Sequence, residues 1–157
     1  MAVNALVAAK PSAQPGVWID PFPAYNFKLL IQGITEGHFT YCAGLGMEVE
    51  AIRYREGGNN STVHVIPGRV AYSDVVLSYG LTQSRALFDW AMTAAKGKVQ
   101  RKNVSILLLD TTGSKEVLRW NLLAAWIQRW RAASLDALGK EVAIEQIVLV
   151  HEGLELA

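Results

Sequence analysis

Apolar and polar side chains alternate through residues 24–31, which is the two-residue period of a β-strand. The same alternation predicts a second strand region over residues 39–55, with a bend or bulge where Gly44 and Gly46 interrupt it. It resumes over residues 62–66 and again over residues 75–79, on either side of a turn predicted at Pro67-Gly68. The first half of the chain is therefore predicted to be a sheet.

The periodicity then changes to that of an amphipathic helix. The apolar positions at helical spacing are Leu87, Trp90, Ala91 and Ala94. Thr82 or Ser84 is the expected N-cap of this helix, and Gly97 is placed to close its C-terminus. One helix is predicted.

Strands return after the helix and form the clearest predicted hairpin. Its strands cover residues 99–110 and 116–126, with a turn at residues 111–114, and Trp120 and Trp126 share one face of the second strand. A Gly-containing connection at residues 135–140 leads to a last strand that runs from residue 142 to about residue 151. The whole pattern predicts a mainly β chain with one helix, an α+β fold.

A polar segment rich in glycine and asparagine separates two of the predicted strands. It contains Arg55, Glu56, Gly57, Gly58, Asn59 and Asn60. Because glycine and asparagine tolerate positive φ, the segment is predicted to be a protruding loop. In the strand before it, one face is predicted to carry Met47, Val49, Ala51 and Arg53, and the other Glu48, Glu50 and Ile52.

The first 23 residues differ from the rest, because they hold four of the five prolines among Ala, Ser, Gln and Gly. This composition favours an extended arm over a packed element. The predicted organisation is therefore an N-terminal arm over residues 1–23 and a single β domain over residues 24–157.

Composition adds two constraints. The chain is 51% hydrophobic and 18% charged, so it is more apolar than the usual soluble domain, in which about a quarter of residues are charged. Some of this apolar surface is therefore expected to be buried against other subunits. With 15 basic and 14 acidic residues, the net charge of +1 provides no long-range attraction for nucleic acid or an anionic membrane.

The N-terminal residues do not suit a secretory signal, and no membrane-spanning segment is predicted. Residues 1–10 lack the cationic start of a secretory signal, and no run approaches the roughly 20 apolar residues of a membrane span. We therefore expect assembly in the cytoplasm, without a signal peptide and without stable membrane insertion.

No catalytic, metal or cofactor site is predicted. His38, His64 and His151 are far apart and stand in no metal-binding or nucleophile-activating spacing. Cys42 is the single cysteine, so it can form neither an intrachain disulfide nor a redox pair. Asp74, Asp89, Asp110 and Asp136 suit turns and helix starts. The chain is predicted not to be an enzyme.

Several segments, taken in order, resemble the tail tube protein family of contractile phages, whose relatives form the inner tubes of bacterial contractile injection systems. The resemblance extends from residue 20 to the C-terminus. The segments that carry it are Asp20-Pro-Phe-Pro-Ala-Tyr-Asn-Phe27, Ile52-Arg-Tyr-Arg-Glu-Gly-Gly58, Pro67-Gly68, Gly80-Leu-Thr-Gln-Ser84, Leu87-Phe-Asp-Trp90, Gly97-Lys-Val-Gln-Arg-Lys-Asn103, Arg119-Trp-Asn121, Ala125-Trp126, Trp130, Glu141-Val-Ala-Ile-Glu145 and His151-Glu-Gly-Leu154.

The resemblance implies a β-sandwich or partly open barrel with one flanking helix, which assembles as hexameric rings that stack into a tube. The implied partners are further copies of the chain, a contractile sheath protein, and baseplate and tube-terminating proteins, with DNA or effector cargo in the lumen. The implied location is a virion component or an injection particle. Within this frame, the loop from Arg55 to Asn60 is predicted to contact an adjacent ring.

Two alternatives remain open at this stage. A tube-initiating or capping subunit of the baseplate would have the same fold, and a subunit that cannot stack on itself would favour it. A small-ligand-binding β-barrel would also show short strands and buried tryptophans, and it predicts a monomer or tetramer that retains a ligand.

Overall fold

The computed structural model describes residues 22–32, 34, 39–58, 61–81 and 83–157. These residues contain nine β-strands and one α-helix, so the fold is mainly β with one helix, as predicted. In chain order the elements are β1 (Phe27–Ile31), β2 (Phe39–Ala43), β3 (Met47–Tyr54), β4 (His64–Tyr72), β5 (Val75–Gly80), α1 (Ala86–Ala95), β6 (Lys102–Leu109), β7 (Glu116–Arg131), β8 (Ile144–Val150) and β9 (Gly153–Leu156).

Seven of the strands form one antiparallel sheet in the order β1-β6-β7-β8-β5-β2, with β9 also paired to β7. The first half of β7 pairs with β6 and its second half pairs with β8, so this one strand joins both halves of the sheet. The sheet curls around a single core and forms a partly open barrel. Its fully buried members are Leu29, Val75, Leu77, Val104, Leu122, Ile147 and Leu149.

Strand β7 bends at Ala124, where φ is 51°. The alternation of buried residues shifts at this point, because Leu122 is buried before the bend and Ala125 and Ile127 are buried after it. Such a bulge lets one strand serve two differently oriented halves of a sheet. The prediction that Trp120 and Trp126 share a face is therefore wrong, since it assumed an unbroken alternation.

Replacing Ala124 with glycine is expected to raise the free energy of unfolding by about 1 kcal/mol, because a left-handed conformation costs a residue with a Cβ about 1–2 kcal/mol. Ala125→Gly is the matched control at a fully buried neighbour, and it is expected to lower the same quantity by about 1 kcal/mol. Urea unfolding followed by circular dichroism measures both. A loss of stability in Ala124→Gly as large as that in Ala125→Gly would contradict a strained bend.

The helix covers part of the core through Leu87 and Trp90, which are both buried. The Trp90 indole N–H donates a hydrogen bond to the Gln100 carbonyl at 2.7 Å, and Gly97, with φ 74°, follows the C-terminus as predicted. The N-cap residue is Arg85, whose side chain makes no capping bond. Ser84, the predicted cap, stands one residue before this position, and its hydroxyl accepts a hydrogen bond from the Ala86 N–H at 3.4 Å. Thr82 lies outside the described residues.

Most of the predicted strands are present, but some of their boundaries differ from the prediction. The break at Gly44 and Gly46 separates β2 from β3, as predicted, whereas β1 begins at Phe27 because residues 24–25 form a turn. The turn predicted at Pro67-Gly68 is wrong, since both residues lie inside β4. Pro67 stands next to a break in the pairing register with β3, where a residue without an N–H is tolerated.

Candidate functional site

Strands β3 and β4 form a two-stranded hairpin that stands apart from the main sheet. The Ser73 N–H donates a hydrogen bond to the Gly46 carbonyl at 3.0 Å, and this bond links the hairpin to the pair β2 and β5. The chain passes this junction at Gly44, where φ is 93° and a Cβ would lie 2.0 Å from the Asp74 carbonyl oxygen. The hairpin is therefore an outward continuation of two strands of the barrel.

Both faces of this hairpin are open to solvent. Every residue of β3 is exposed, and in β4 only Gly68 is partly buried. Residues directly opposite each other in an antiparallel pair point to the same face. The pairing register therefore defines one face, which we name the apolar hairpin face, consisting of Met47, Val49, Ala51, Val65, Pro67, Val70 and Tyr72, with Arg53 at its outer end.

The opposite face of the hairpin is mixed in character. It carries Glu48, Glu50, Ile52 and Tyr54 from β3, and the register places Ile66 opposite Ile52. Gly68 lies beneath this face, because a Cβ there would come within 2.9 Å of Ile52 Cδ1 and 3.1 Å of a Glu50 carboxylate oxygen. The predicted separation of Met47, Val49 and Ala51 from Glu48, Glu50 and Ile52 agrees with this register.

An exposed apolar hairpin of this kind is unfavourable for an isolated chain. A two-stranded hairpin is marginally stable in water unless it packs against something else. On the apolar hairpin face, the exposed fraction is 65% for Met47, 60% for Val65 and 53% for Val70. Contiguous apolar surface and open strand edges mark sites of association with other chains. The hairpin is therefore the candidate interaction site.

The predicted site residues lie at the tip of this hairpin. Arg55, Glu56, Gly57 and Gly58 follow the end of β3 and are all exposed, with φ of Gly58 at 100°. Asn59 and Asn60 lie outside the described residues. Arg55 and Glu56 make no ion pair within the described part of the chain.

The base of the hairpin is held by His151. Its ring nitrogens lie 2.9 Å from the Gly153 carbonyl and 3.1 Å from the Ser73 carbonyl, and its ring centroid is 5.4 Å from that of Tyr72. These contacts join the end of β8 to the end of β4. His64 lies in β4 of the hairpin, and His38 lies outside the described residues.

Two other reactive or titratable side chains, Cys42 and Asp110, have surroundings that explain them structurally. Cys42 lines an apolar cavity of about 420 Å³ with Phe27 and Leu45, and burial raises the pKa of its thiol to about 11. The Thr112 hydroxyl, followed by the Lys115 backbone N–H, donates hydrogen bonds that lower the pKa of Asp110, which caps the turn between β6 and β7. No group of three metal-ligating side chains occurs among the described residues.

The helix found among the described residues lacks the length and apolar character that crossing a membrane requires.

Comparison with solved structures finds the same fold in contractile injection systems. The chain is similar to one in the sheath-tube complex of the extracellular contractile injection system PVC in its extended state, with a TM-score of 0.77 and 25% identity over 87% of this chain and 91% of that one. It is also similar to one in the tube-terminating cap of the anti-feeding prophage, with a TM-score of 0.78 and 26% identity over 98% of both chains.

A more distant likeness is to a further solved structure. Hcp1 from Flavobacterium johnsoniae matches with a TM-score of 0.54 and 11% identity over 84% of this chain and 94% of that one, which indicates a shared fold alone. No curated protein sequence matches the chain significantly.

A family model described as T4-like virus tail tube protein gp19 matches residues 23–155. The match covers most of the chain and includes the barrel, the helix and the exposed hairpin. It confirms the resemblance that the sequence motifs indicate. The chain therefore belongs to the T4-like virus tail tube protein gp19 family.

Proposed function

We propose that this chain is the structural subunit of the inner tube of a contractile tail or injection system. In this proposal, hexameric rings of the chain stack into a hollow conduit, which contraction of a sheath drives through a target envelope. The observation that carries it is the β3–β4 hairpin, whose apolar surface is exposed in the single chain. The chain that bears this hairpin belongs to a tail tube family. The subunit acts mechanically and catalyses no reaction.

The sheet supplies edges for ring closure. In the strand order, β1 and β2 stand at the two ends, and each pairs with one neighbouring strand among those described. Unpaired edge N–H and C=O groups are stably hidden by pairing with a neighbouring copy, and a closed ring leaves none free. A six-membered ring is supported by the similarity to a chain of the anti-feeding prophage baseplate, which is described as six-fold symmetrised, at 25% identity and a TM-score of 0.76.

The proposed partners follow from the complexes of the relatives. Similar chains occur in a sheath-tube complex, a baseplate and a tube-terminating cap. We extend these partners to this chain: a contractile sheath protein outside the tube, baseplate and terminating proteins at its ends, and DNA or effector cargo in its lumen. Assembly in the cytoplasm, without a signal peptide, is part of the same proposal.

A capping subunit is the second candidate function. The similarity to the chain in the tube-terminating cap spans 98% of both chains, compared with 87% and 91% for the sheath-tube complex. A cap would form rings and then stop, whereas a tube subunit would continue to stack.

Negative-stain electron microscopy of the purified chain over a concentration series tests the proposed function. Stacked tubes are expected for a tube subunit. Single rings at every concentration would assign the chain to the cap, and monomers without any rings would contradict both functions.

Replacing both Arg55 and Glu56 with alanine is expected to shorten the tubes several-fold while leaving the rings intact, because the tip loses two charges that we propose pair across the ring interface. Tube lengths measured by electron microscopy test this. The matched control removes an exposed ion pair elsewhere, Arg101→Ala with Glu152→Ala. Unchanged tube lengths in the tip variant would remove Arg55 and Glu56 from the interface.

Deleting residues 1–19 is expected to leave the free energy of unfolding of the monomer within about 0.5 kcal/mol of that of the full chain. The proposed organisation is an arm over residues 1–23 attached to one domain over residues 24–157, and residues 1–21 lie outside the described residues. Urea unfolding is the measurement. A loss of cooperative unfolding would instead make the arm part of the core.

A further inference from the structure

The imidazole ring of His151 bridges the barrel and the base of the β3–β4 hairpin. Its Nδ1 lies 2.9 Å from the Gly153 carbonyl oxygen, and its Nε2 lies 3.1 Å from the Ser73 carbonyl oxygen. Both distances are within the usual range of an N–H···O hydrogen bond. Each of the two ring nitrogens therefore faces a hydrogen-bond acceptor.

The barrel side of this bridge is held by strand β7. Gly153, two residues after His151, pairs with Leu123 of that strand. The Glu152 N–H also donates a hydrogen bond to the Leu123 carbonyl at 2.9 Å. The connection between β8 and β9, which carries the His151 ring, is therefore fixed to the barrel.

The other side of the bridge is the junction at which the hairpin leaves the barrel. Ser73 lies between β4 and β5, and its N–H donates a hydrogen bond to the Gly46 carbonyl at 3.0 Å. The Tyr72 ring lies against the imidazole, with 5.4 Å between the ring centroids. Because both faces of the hairpin are exposed beyond this junction, its orientation depends on the contacts at Tyr72 and Ser73.

The arrangement of two acceptors fits the protonated form of the ring. A carbonyl oxygen only accepts hydrogen bonds, so each ring nitrogen needs a proton to bond its partner. A neutral imidazole carries one N–H, whereas an imidazolium carries two. Both bonds of His151 can therefore form together only when the ring is positively charged. In the neutral ring, one nitrogen turns its lone pair toward a carbonyl oxygen, which is repulsive.

The bond to Ser73 is the one that deprotonation removes. Gly153 is 2 residues from His151 and belongs to the same connection, whereas Ser73 is 78 residues away in the chain. A bond within a short, already fixed segment costs little further chain entropy. The neutral ring therefore keeps its proton on Nδ1, bonded to Gly153, and releases the Ser73 carbonyl.

We propose that His151 is a pH-dependent switch that fixes the hairpin to the barrel when its ring is protonated. In the protonated state both bonds are present, and the hairpin is held at Ser73. As the pH rises and the ring loses a proton, the bond to Ser73 is lost and the hairpin moves more freely about the junction. This inference goes beyond the proposed function, because it concerns the single chain before assembly.

Histidine is the side-chain type at this junction that ordinarily changes its charge between about pH 5 and about pH 8. Arg101 Nε lies 3.2 Å from the Glu152 carboxylate, so the carboxylate next to His151 in the chain has a cationic partner. His64 lies at the other end of β4, opposite Tyr54, and is not part of the junction. The titratable or charged side chains of the adjoining segments are Glu48, Tyr72, Asp74, Arg101, Lys102, Glu152 and Glu155.

Hydrogen exchange in the unassembled full-length chain tests the switch. The Ser73 amide reports on the junction directly, since its N–H is bonded to Gly46 across it. Its protection factor, which corrects for the intrinsic effect of pH on exchange, is expected to fall about threefold to tenfold between about pH 5 and about pH 8, the effect of one hydrogen bond. His151→Phe keeps a ring against Tyr72 but has no N–H, so it is expected to show the lower protection at both pH values.

Two controls accompany this measurement. His64→Gln removes a histidine from the hairpin outside the junction and is expected to keep the full pH dependence at Ser73. The amide of the buried Leu122 in β7 is expected to keep its protection in every variant, which excludes a general loss of barrel stability. Equal protection of Ser73 at both pH values, or a pH dependence that survives in His151→Phe, would overturn the switch.

Nitrogen-15 NMR of the unaltered chain tests the same inference without a substitution. Both ring nitrogens of His151 are expected to carry protons at about pH 5, and Nδ1 alone at about pH 8. A neutral ring with its proton on Nε2 would overturn the assignment, because the bond to Ser73 would then survive deprotonation. Neither experiment depends on assembly, so a negative result leaves the proposed tube function to its own test in the electron microscope.

Discussion

Replacing Val49 and Val70 with glutamate is expected to abolish tubes and leave the barrel folded. The two residues are a directly opposed pair on the apolar hairpin face, with 41% and 53% of their surface exposed in the single chain. If this face is buried between copies, each new carboxylate must lose its hydration without a partner, which costs several kcal/mol. Sedimentation and electron microscopy measure the loss of tubes, and urea unfolding measures the barrel.

The control for this variant separates the apolar face from the hairpin itself. Ala71→Glu places a like charge opposite Glu48, on the other face of the same hairpin. Like charges across a strand pair destabilise it by about 0.2–1 kcal/mol, so this control tests whether weakening the hairpin is enough to prevent assembly. Equal loss of tubes in both variants would show that the apolar face has no special part in stacking.

The apolar hairpin face also shows how far alternation of side chains predicts structure. Periodicity places Met47, Val49 and Ala51 on one face, and the pairing register agrees. Periodicity cannot say what covers that face, because a strand buried in its own core and a strand buried against another copy have the same pattern. The position of the hairpin outside the barrel is what shows that this face is not part of the chain's own core.

Local signals succeeded where one residue type determines the backbone. Gly44 has φ 93° and lies against the Asp74 carbonyl, so the break predicted there is required by the close approach of two backbones. Gly97 follows the helix for a different reason, because its φ of 74° lies in the left-handed region that favours glycine at the end of a helix. The strands β6 and β7 were predicted from strong apolar runs that flank a clear turn.

Local sequence signals failed where pairing with a strand distant in sequence determines the backbone conformation. Pro67 and Gly68 favour a turn, but pairing with β3 keeps them in β4. The bend at Ala124 has no glycine to mark it, and it arises because β7 must pair with β6 and with β8. Strand β9 was not predicted, since its four residues become a strand only by pairing with β7.

The candidate site was predicted in part. The composition of the Gly-Asn segment placed a protruding loop at Arg55 to Gly58, where the hairpin tip lies. The exposed apolar side chains of the loop between β7 and β8 were missed because residues 135–140 were interpreted as a connection alone. The available signal was the apolar content of that connection, since Leu135 and Leu138 stand in a segment that makes no strand. Val142 was predicted to begin the last strand, but β8 begins at Ile144.

The balance of apolar and charged residues reflects two exposed apolar surfaces in addition to the core. A chain that is 51% hydrophobic and 18% charged places apolar side chains on the hairpin and on the loop between β7 and β8 as well as in the core. The excess apolar composition is therefore explained by surfaces that a tube subunit needs for contact with its neighbours.

Replacing Trp90 with alanine is expected to lower the free energy of unfolding by about 3–5 kcal/mol, because the change leaves a large cavity between α1 and the sheet. The indole ring is 3% exposed, and its N–H bonds to the Gln100 carbonyl at 2.7 Å. For a domain stable by about 5–15 kcal/mol, this loss leaves a substantial unfolded population. Urea unfolding of the monomer measures it.

Trp90→Phe is the matched control, since it keeps an aromatic ring in the core and removes the hydrogen bond to Gln100. Its expected cost is smaller, about 1–3 kcal/mol. A change below about 1 kcal/mol in Trp90→Ala would contradict the burial of this side chain against the barrel. Trp90→Ala should lose tubes because folded subunits are lost, whereas the Val49 and Val70 variant should lose tubes while its subunits stay folded. This contrast separates the core that forms the barrel from the hairpin that joins one barrel to the next.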